Sequence, residues 1–162
     1  MTNRKHQLTY YFFSSSFPIV IACLALMLTS CESKTADEYY DEGYSFAIKS
    51  DYDNAIINYE KALKKDKKFT KAMIALGNVY QNLKQKDLSL SYYDQALEID
   101  STLAEAYYGR GMLKRNSGDE YGACTDFVEA HYYGHPYMQD YLKRCYNLYQ
   151  VTPKEPKEPW EE

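Results

Sequence analysis

Four cysteines, three histidines and a few neighbouring carboxylates are the residues of this 162-residue chain whose types could do chemistry. Cys23 and Cys31 lie near the N-terminus, Cys124 and Cys145 in the last third. A thiolate can take up an alkyl group, pair with a second thiol, or bind zinc beside imidazoles. His131 and His135 have the i, i+4 spacing of two ligands on a helix, with Cys145 as a third candidate. But Pro136 follows His135 directly, and the residue before a proline is pushed out of helical geometry. Asp51 with Asp53, and Asp119 with Glu120, fall where turns are expected, and aspartates there bond their own backbone. The chain has no glycine-rich phosphate loop, no H-E-x-x-H and no G-x-S-x-G. The expectation is a non-enzymatic protein without metal or cofactor.

Composition narrows the class. Hydrophobic residues make up 45% and charged residues 26%, with a formal net charge of -4, which suits one domain with an appendage. Five prolines and seven glycines exclude a collagenous or low-complexity chain. Both signs of charge are spread along the sequence, so no nucleic-acid partner is expected. The unusual feature is 19 tyrosines, most of them in a region of helical pattern.

Residues 1–30 hold Arg4 and Lys5 and no acidic residue, followed by an apolar run over residues 17–28. A positive segment before a short apolar one is the form of a secretory signal peptide. The run ends Leu28-Thr29-Ser30-Cys31, which resembles a bacterial lipobox. That resemblance implies lipidation of the Cys31 thiol, cleavage before it, and a bacterial envelope location, most simply the outer membrane. The alternative is an uncleaved membrane anchor, against which the Ser14-Ser15-Ser16 block interrupts the apolar stretch. Loss of residues 1–30 would leave 17 basic and 23 acidic residues, a net charge of -6. A surface of that sign gains nothing from an anionic membrane, so the lipid itself is expected to hold the chain. Residues 31–35 form a short tether.

Ala36, Thr70 and Ala104 begin three units of 34 residues. Position 8 is glycine in each unit (Gly43, Gly77, Gly111) and position 27 is alanine (Ala62, Ala96, Ala130). Position 24 is aromatic (Tyr59, Tyr93, Phe127), position 20 small (Ala55, Ser89, Ala123) and position 4 large (Tyr39, Met73, Tyr107). Small residues let two helices approach closely while large ones fill the adjoining gaps. The pattern resembles the tetratricopeptide repeat. It implies an all-α fold, an α-solenoid of three antiparallel helix pairs A and B, over residues 36–69, 70–103 and 104–136. Position 32, usually proline in that family, is Lys67, Ser101 and His135. Arg110 and Lys114 replace the apolar Leu76 and Tyr80 of the second unit; their stems are expected to pack while their charges reach water.

Residues 137–150 carry Tyr141, Leu142, Cys145 and Leu148 at helical spacing and are expected to cap the last apolar face. Residues 151–162 mix proline with charge and read as a disordered tail, with Trp160 as a candidate docking residue. Folding the third B helix against the cap about Gly134-His135 sets Cys124 opposite Cys145. A disulfide is expected in an oxidising envelope, with two buried free thiols as the alternative. Asp100-Ser101-Thr102 resembles a short bacterial O-glycosylation acceptor.

Members of the family bind peptides or helices along the concave face of the A helices. By resemblance, the groove here comprises Tyr40, Tyr44, Ile74, Asn78, Gln81, Asn82, Tyr108, Met112 and Arg115. The alternative is that some of these tyrosines only pack between A helices. The carboxylate clamp of some members is not expected, because Tyr40, Glu105 and Gly109 stand where its cations would be. The resulting reading is a lipid-anchored scaffold that binds a protein or peptide, acting as an assembly factor. The other reading is a glycan- or peptidoglycan-associated accessory lipoprotein.

Overall fold

The computed structural model of the protein describes residues 34–136 and 138–151. Residues 1–30, expected to be a signal peptide, Cys31, Tyr137 and Trp160 lie outside the described residues. Among those described there are seven α-helices: α1 (Ala36–Ala47), α2 (Tyr52–Lys65), α3 (Thr70–Asn82), α4 (Lys86–Ile99), α5 (Ala104–Asn116), α6 (Glu120–Tyr132) and α7 (Gln139–Tyr149). None is long and apolar enough to cross a membrane. Successive helices pack as antiparallel pairs, α1 on α2, α3 on α4 and α5 on α6, and α7 follows against α6. This is the all-α helical repeat solenoid expected from the 34-residue period.

Local chemistry sets the helix ends. Thr35 and Glu38 form a capping box at α1: Glu38 N donates to Thr35 Oγ1 at 3.2 Å and Thr35 N to Glu38 Oε2 at 2.7 Å. Asp51 and Asp119 cap α2 and α6, accepting from Asn54 N and Gly122 N. Each satisfies a first-turn donor that the helix leaves unpaired. Position 15 of every unit, between the A and B helices, is left-handed: Ser50 (φ 60°), Lys84 (φ 60°) and Gly118 (φ 86°). Only the third unit places a glycine there.

The core is built where an aromatic ring meets a glycine. A Cβ on Gly43 would lie 2.7 Å from the Tyr59 ring, one on Gly77 2.7 Å from Tyr93, and one on Gly111 2.8 Å from Phe127. Tyr93 is also clamped from the next unit by Gly109, whose Cβ would come equally close. Thus the glycine at position 8 is a contact requirement: the inner helix must come near enough to touch the face of the outer helix's ring. Leu76, Ala72 and Val79 extend the first cluster, while Val128, Met138 and Leu142 complete the last.

Arg110 and Lys114 depart from the sequence expectation. Their charges do not run out to water. Arg110 Nε and Nη2 donate to the two oxygens of Asp126 at 3.0 and 2.7 Å, and Nη1 donates to Asp94 at 2.6 Å. Lys114 Nζ lies 2.8 Å from Asp126 Oδ2. Asp126 is 3% exposed, so a carboxylate buried between α5 and α6 draws both cations inward. Burial alone would lower the Arg110 pKa, but hydrogen bonds and charge from Asp126 and Asp94 raise it beyond its usual value.

Candidate functional site

A concavity of about 500 Å³ opens on the inner side of the first two repeats. Its floor is Tyr59, Ala75 and Val79; Tyr40, Tyr44 and Ile48 form one wall, and Ile74, Asn78 and Asn82 the other. Lys71 and Glu105, one cation and one anion, also line it. The period of the helix explains the grouping. Tyr40 and Tyr44 are four residues apart on α1, as are Ile74, Asn78 and Asn82 on α3, so each set projects from one face.

The lining is mostly apolar with a few polar groups. Tyr44 is 56% exposed and Ile48 66% exposed, an apolar rim that water wets in the free protein. Burial, then the neighbouring Tyr44, Asp41 and Glu105, raise the Tyr40 phenol above its ordinary pKa. It therefore stays protonated near neutrality, able both to donate and to accept. Outside the lining, the buried Tyr93 hydroxyl donates to Asn78 Oδ1 at 2.6 Å and reaches Gln81 Oε1 at 3.1 Å. Asn78 keeps its amide N–H₂ groups for a ligand, and Asn82 lies exposed beside it.

Five of the nine groove residues expected from the sequence come together here: Tyr40, Tyr44, Ile74, Asn78 and Asn82. The other four do not line the concavity. Gln81 turns to the Tyr93 hydroxyl. Tyr108, Met112 and Arg115 are engaged by the segment that succeeds α6. Tyr108 stacks on His135 at 4.2 Å, Arg115 sits 5.1 Å over the Tyr141 ring, and Met112 packs on the last core cluster. The physical reason is that the α6–α7 turn and α7 bring His135 and Tyr141 against these side chains, so part of the third repeat's share of the groove is taken up by the chain itself. Sequence reasoning also missed Ile48, Tyr52 and Lys71. Ile48 and Tyr52 flank the α1–α2 turn, which family positions on the A helices do not include.

Cys124 and Cys145 are joined as a disulfide, with Cα atoms 5.4 Å apart. Both are buried. That leaves neither as a thiolate for a zinc ion, and His135 is occupied against Tyr108. Ser101 is exposed in the α4–α5 turn, while Asp100 accepts from the Thr102 backbone and hydroxyl at 2.8 and 2.6 Å. Many remaining tyrosines pack in pairs: Tyr80 stacks on Tyr92 and Tyr107 on Tyr133, at 5.6 and 5.8 Å.

The fold and groove define a class, the helical repeat solenoid with an open inner face. Residues 70–103 match the family model of the tetratricopeptide repeat. The Arabidopsis OM64 TPR domain aligns with a TM-score of 0.64 at 17% identity, covering 69% of this chain and 94% of that one. The first TPR of Spaghetti (RPAP3), bound to the HSP90 peptide SRMEEVD, aligns with a TM-score of 0.63 at 18% identity, covering 69% and 90%. These likenesses show the fold. In sequence, the chain is 30% identical over 105 residues to Photosystem I assembly protein Ycf3 of Acaryochloris marina (strain MBIC 11017). That match covers 63% of each protein, so the chain spans somewhat less than two thirds of the relative's length.

Proposed function

We propose that this chain is a membrane-anchored, non-enzymatic protein-binding scaffold of a bacterial cell envelope, most simply at the outer membrane, acting as an assembly factor. The observation that carries the reading is the concavity of about 500 Å³, apolar in the main and edged by exposed tyrosine, isoleucine and asparagine. Tyrosine offers a broad apolar face and a hydroxyl at low entropic cost, and the asparagine amides suit a partner's backbone. The 30%-identical relative is named as a photosystem I assembly protein, and the Spaghetti domain holds a peptide; both support a groove that takes an extended peptide or a helix. The anchor rests on the lipobox resemblance at Cys31.

A peptide such as SRMEEVD is not the expected occupant. Among the described residues the concavity is lined by one cation, Lys71, with Glu105 also present, so a peptide with three acidic residues would find little to neutralise it. An uncharged segment with apolar side chains fits better.

The test is crosslinking in the native envelope, with the wild-type chain alongside a Tyr44→Ala, Asn82→Ala variant. Both side chains are exposed, so the fold should be unaffected. A protein partner recovered with the wild type and lost with the variant supports the reading. Identical partners with both would overturn the groove. A polysaccharide in place of a protein would turn the reading to a glycan-associated accessory protein.

A further inference from the structure

The net charge of the chain conceals a local reversal. Between positions 61 and 71, six of eleven residues are lysine (Lys61, Lys64, Lys65, Lys67, Lys68 and Lys71), and Asp66 is the single acidic residue. All six are exposed. Asp66 is already used, accepting from the Lys68 backbone at 2.9 Å. None of the six forms an ion pair among the described residues. Lys64 and Lys65 end α2, where the helix dipole favours a cation. The dipole does not account for the rest. Lys71 sits in the first turn of α3, which holds no acidic residue, and there a cation meets the positive end of the dipole. Local stability therefore does not explain this concentration of charge.

Its position does suggest a use. α1 and α2 are antiparallel, so the end of α2 lies beside the start of α1. Lys61 Nζ stands 5.7 Å over the Tyr39 ring, and Phe69, next to Lys68, meets Tyr40 edge-on at 5.7 Å. Thr35, the cap of α1, is four residues from Cys31, a reach of at most about 14 Å. The lysines thus occupy the edge of the solenoid on which the tether enters. That edge also carries Asp37 and Glu38 in the first turn of α1 and Asp100 and Glu105 about the α4–α5 turn, so the basic surface is confined to the end of α2 and the α2–α3 turn. The opposite edge, at the α1–α2 and α3–α4 turns, mixes Lys49, Lys84 and Lys86 with Asp51, Asp53 and Asp87.

We propose that this lysine edge is a docking surface for anionic lipid headgroups of the membrane that holds the chain, setting the domain's orientation so that the groove stands clear of the bilayer. The proposal rests on the anchoring at Cys31 put forward above. It replaces the expectation, drawn from net charge alone, that an anionic surface offers this chain nothing. Lysine suits a fluid array of phosphates, because its ammonium is a point charge on a flexible stem. A single phosphate would be held with more directional fit by arginine forks, and the segment has no arginine.

The experiment uses the native protein extracted from its own membrane. It is reconstituted into vesicles of phosphatidylcholine, or of phosphatidylcholine mixed with phosphatidylglycerol. Lysines are then acetylated with a water-soluble reagent and mapped by mass. The expected result is labelling of Lys64, Lys65, Lys67 and Lys68 slowed about fivefold or more in anionic vesicles only, restored by high salt, with Lys49, Lys84 and Lys86 unchanged. Equal labelling in the two vesicle types overturns the proposal, whether both expose the lysines or both protect them. The same spectra weigh the Cys31 peptide: acyl chains there with uniform lysine labelling defeat the docking surface alone. An unmodified Cys31 defeats the anchoring reading and this proposal with it.

Discussion

In the first two repeats the inner face of the A helices stands open, while in the third the equivalent side chains are partly covered by the segment that follows. Tyr40 and Tyr44 line a cavity; their counterparts Tyr108 and Met112 pack against the closing segment and the last core cluster. The two ends are also held differently. The open end relies on rings seated on glycines and on turns in left-handed geometry. The closed end adds a buried ion network and a disulfide. The same repeat can therefore serve as a binding surface or as a stop, depending on whether its C-terminal neighbour is another repeat or a cap.

The sharpest way to break that asymmetry is at Asp126. Asp126→Ala leaves Lys114 without its carboxylate and Arg110 with Asp94 alone, and since a wholly uncompensated buried charge costs about 3–5 kcal/mol, a loss of about 3 kcal/mol is expected. Hydrogen exchange should show α5 and α6 losing protection by that amount, with α1 and α2 little changed. Uniform loss across all helices would mean that the solenoid unfolds as one cooperative unit and that the two ends are not separable.

Removing the disulfide should act next most strongly. The bond spans 21 positions, for which loop-closure entropy gives about 3 kcal/mol. Its reduction should loosen α7 and uncover Tyr108, Met112 and Arg115. Thermal unfolding with and without reductant measures the loss, and proteolysis within α7 locates it. An unchanged midpoint would show that Met138, Leu142 and the Tyr141 contacts hold the cap alone.

Alkali should act on the opposite end. Burial pushes the Tyr59 and Tyr93 phenols up to about 12, with Tyr40 and Tyr44 adding to the Tyr59 shift. The unfolded phenol titrates near 10. Below pH 10 both states are protonated and the full stability is present. Between about 10 and 12 the unfolded chain loses protons first, so stability falls by about 1.4 kcal/mol per pH unit for each buried tyrosine. Phe127 stands at the same position in the third repeat and cannot titrate, which leaves α5 only the smaller upward shifts of Tyr107 and Tyr108. Protection in α1–α4 should therefore decline before protection in α5 and α6. Tyr93→Phe should lessen the pH slope by one tyrosine's share, leaving the part due to Tyr59 and to the smaller upward shifts of Tyr40, Tyr80 and Tyr92.

The features legible in the sequence are those that repeat. The helix pairs, the ring-on-glycine contacts and the facing of Cys124 on Cys145 come from spacing, because a 34-residue period fixes which residues meet. Features specific to one copy are harder to see. Arg110 and Lys114 resemble solvated charges in the sequence because their partner, Asp126, has Asn58 and Tyr92 at the equivalent positions and so belongs to no pattern. Analogy between units assigns Tyr108, Met112 and Arg115 to the groove, yet the third unit has the cap as its neighbour where the others have another repeat. The lysines of residues 61–71 are averaged away by the net charge.

The smallest expected effect concerns the turns inside the repeats. Ser50 and Lys84 hold left-handed geometry with a Cβ, while Gly118 holds it freely. The strain is roughly 1 kcal/mol per residue, because Cβ crowds the neighbouring carbonyl in that conformation. Both strained turns lie in the open end, so that end carries a cost the closed end lacks. Lys84→Gly should relieve it and raise stability by up to about 1 kcal/mol, less the extra backbone entropy that glycine brings to the unfolded chain. The reverse change, Gly118→Ala, should cost about as much, since space is not limiting: nothing lies within 4 Å of a Cβ built there. Denaturant midpoints for the two variants would test the pair together. If both shift as expected, turn strain accounts for part of the difference between the ends; if Lys84→Gly is neutral or destabilising, the difference rests on the ion network and the disulfide alone.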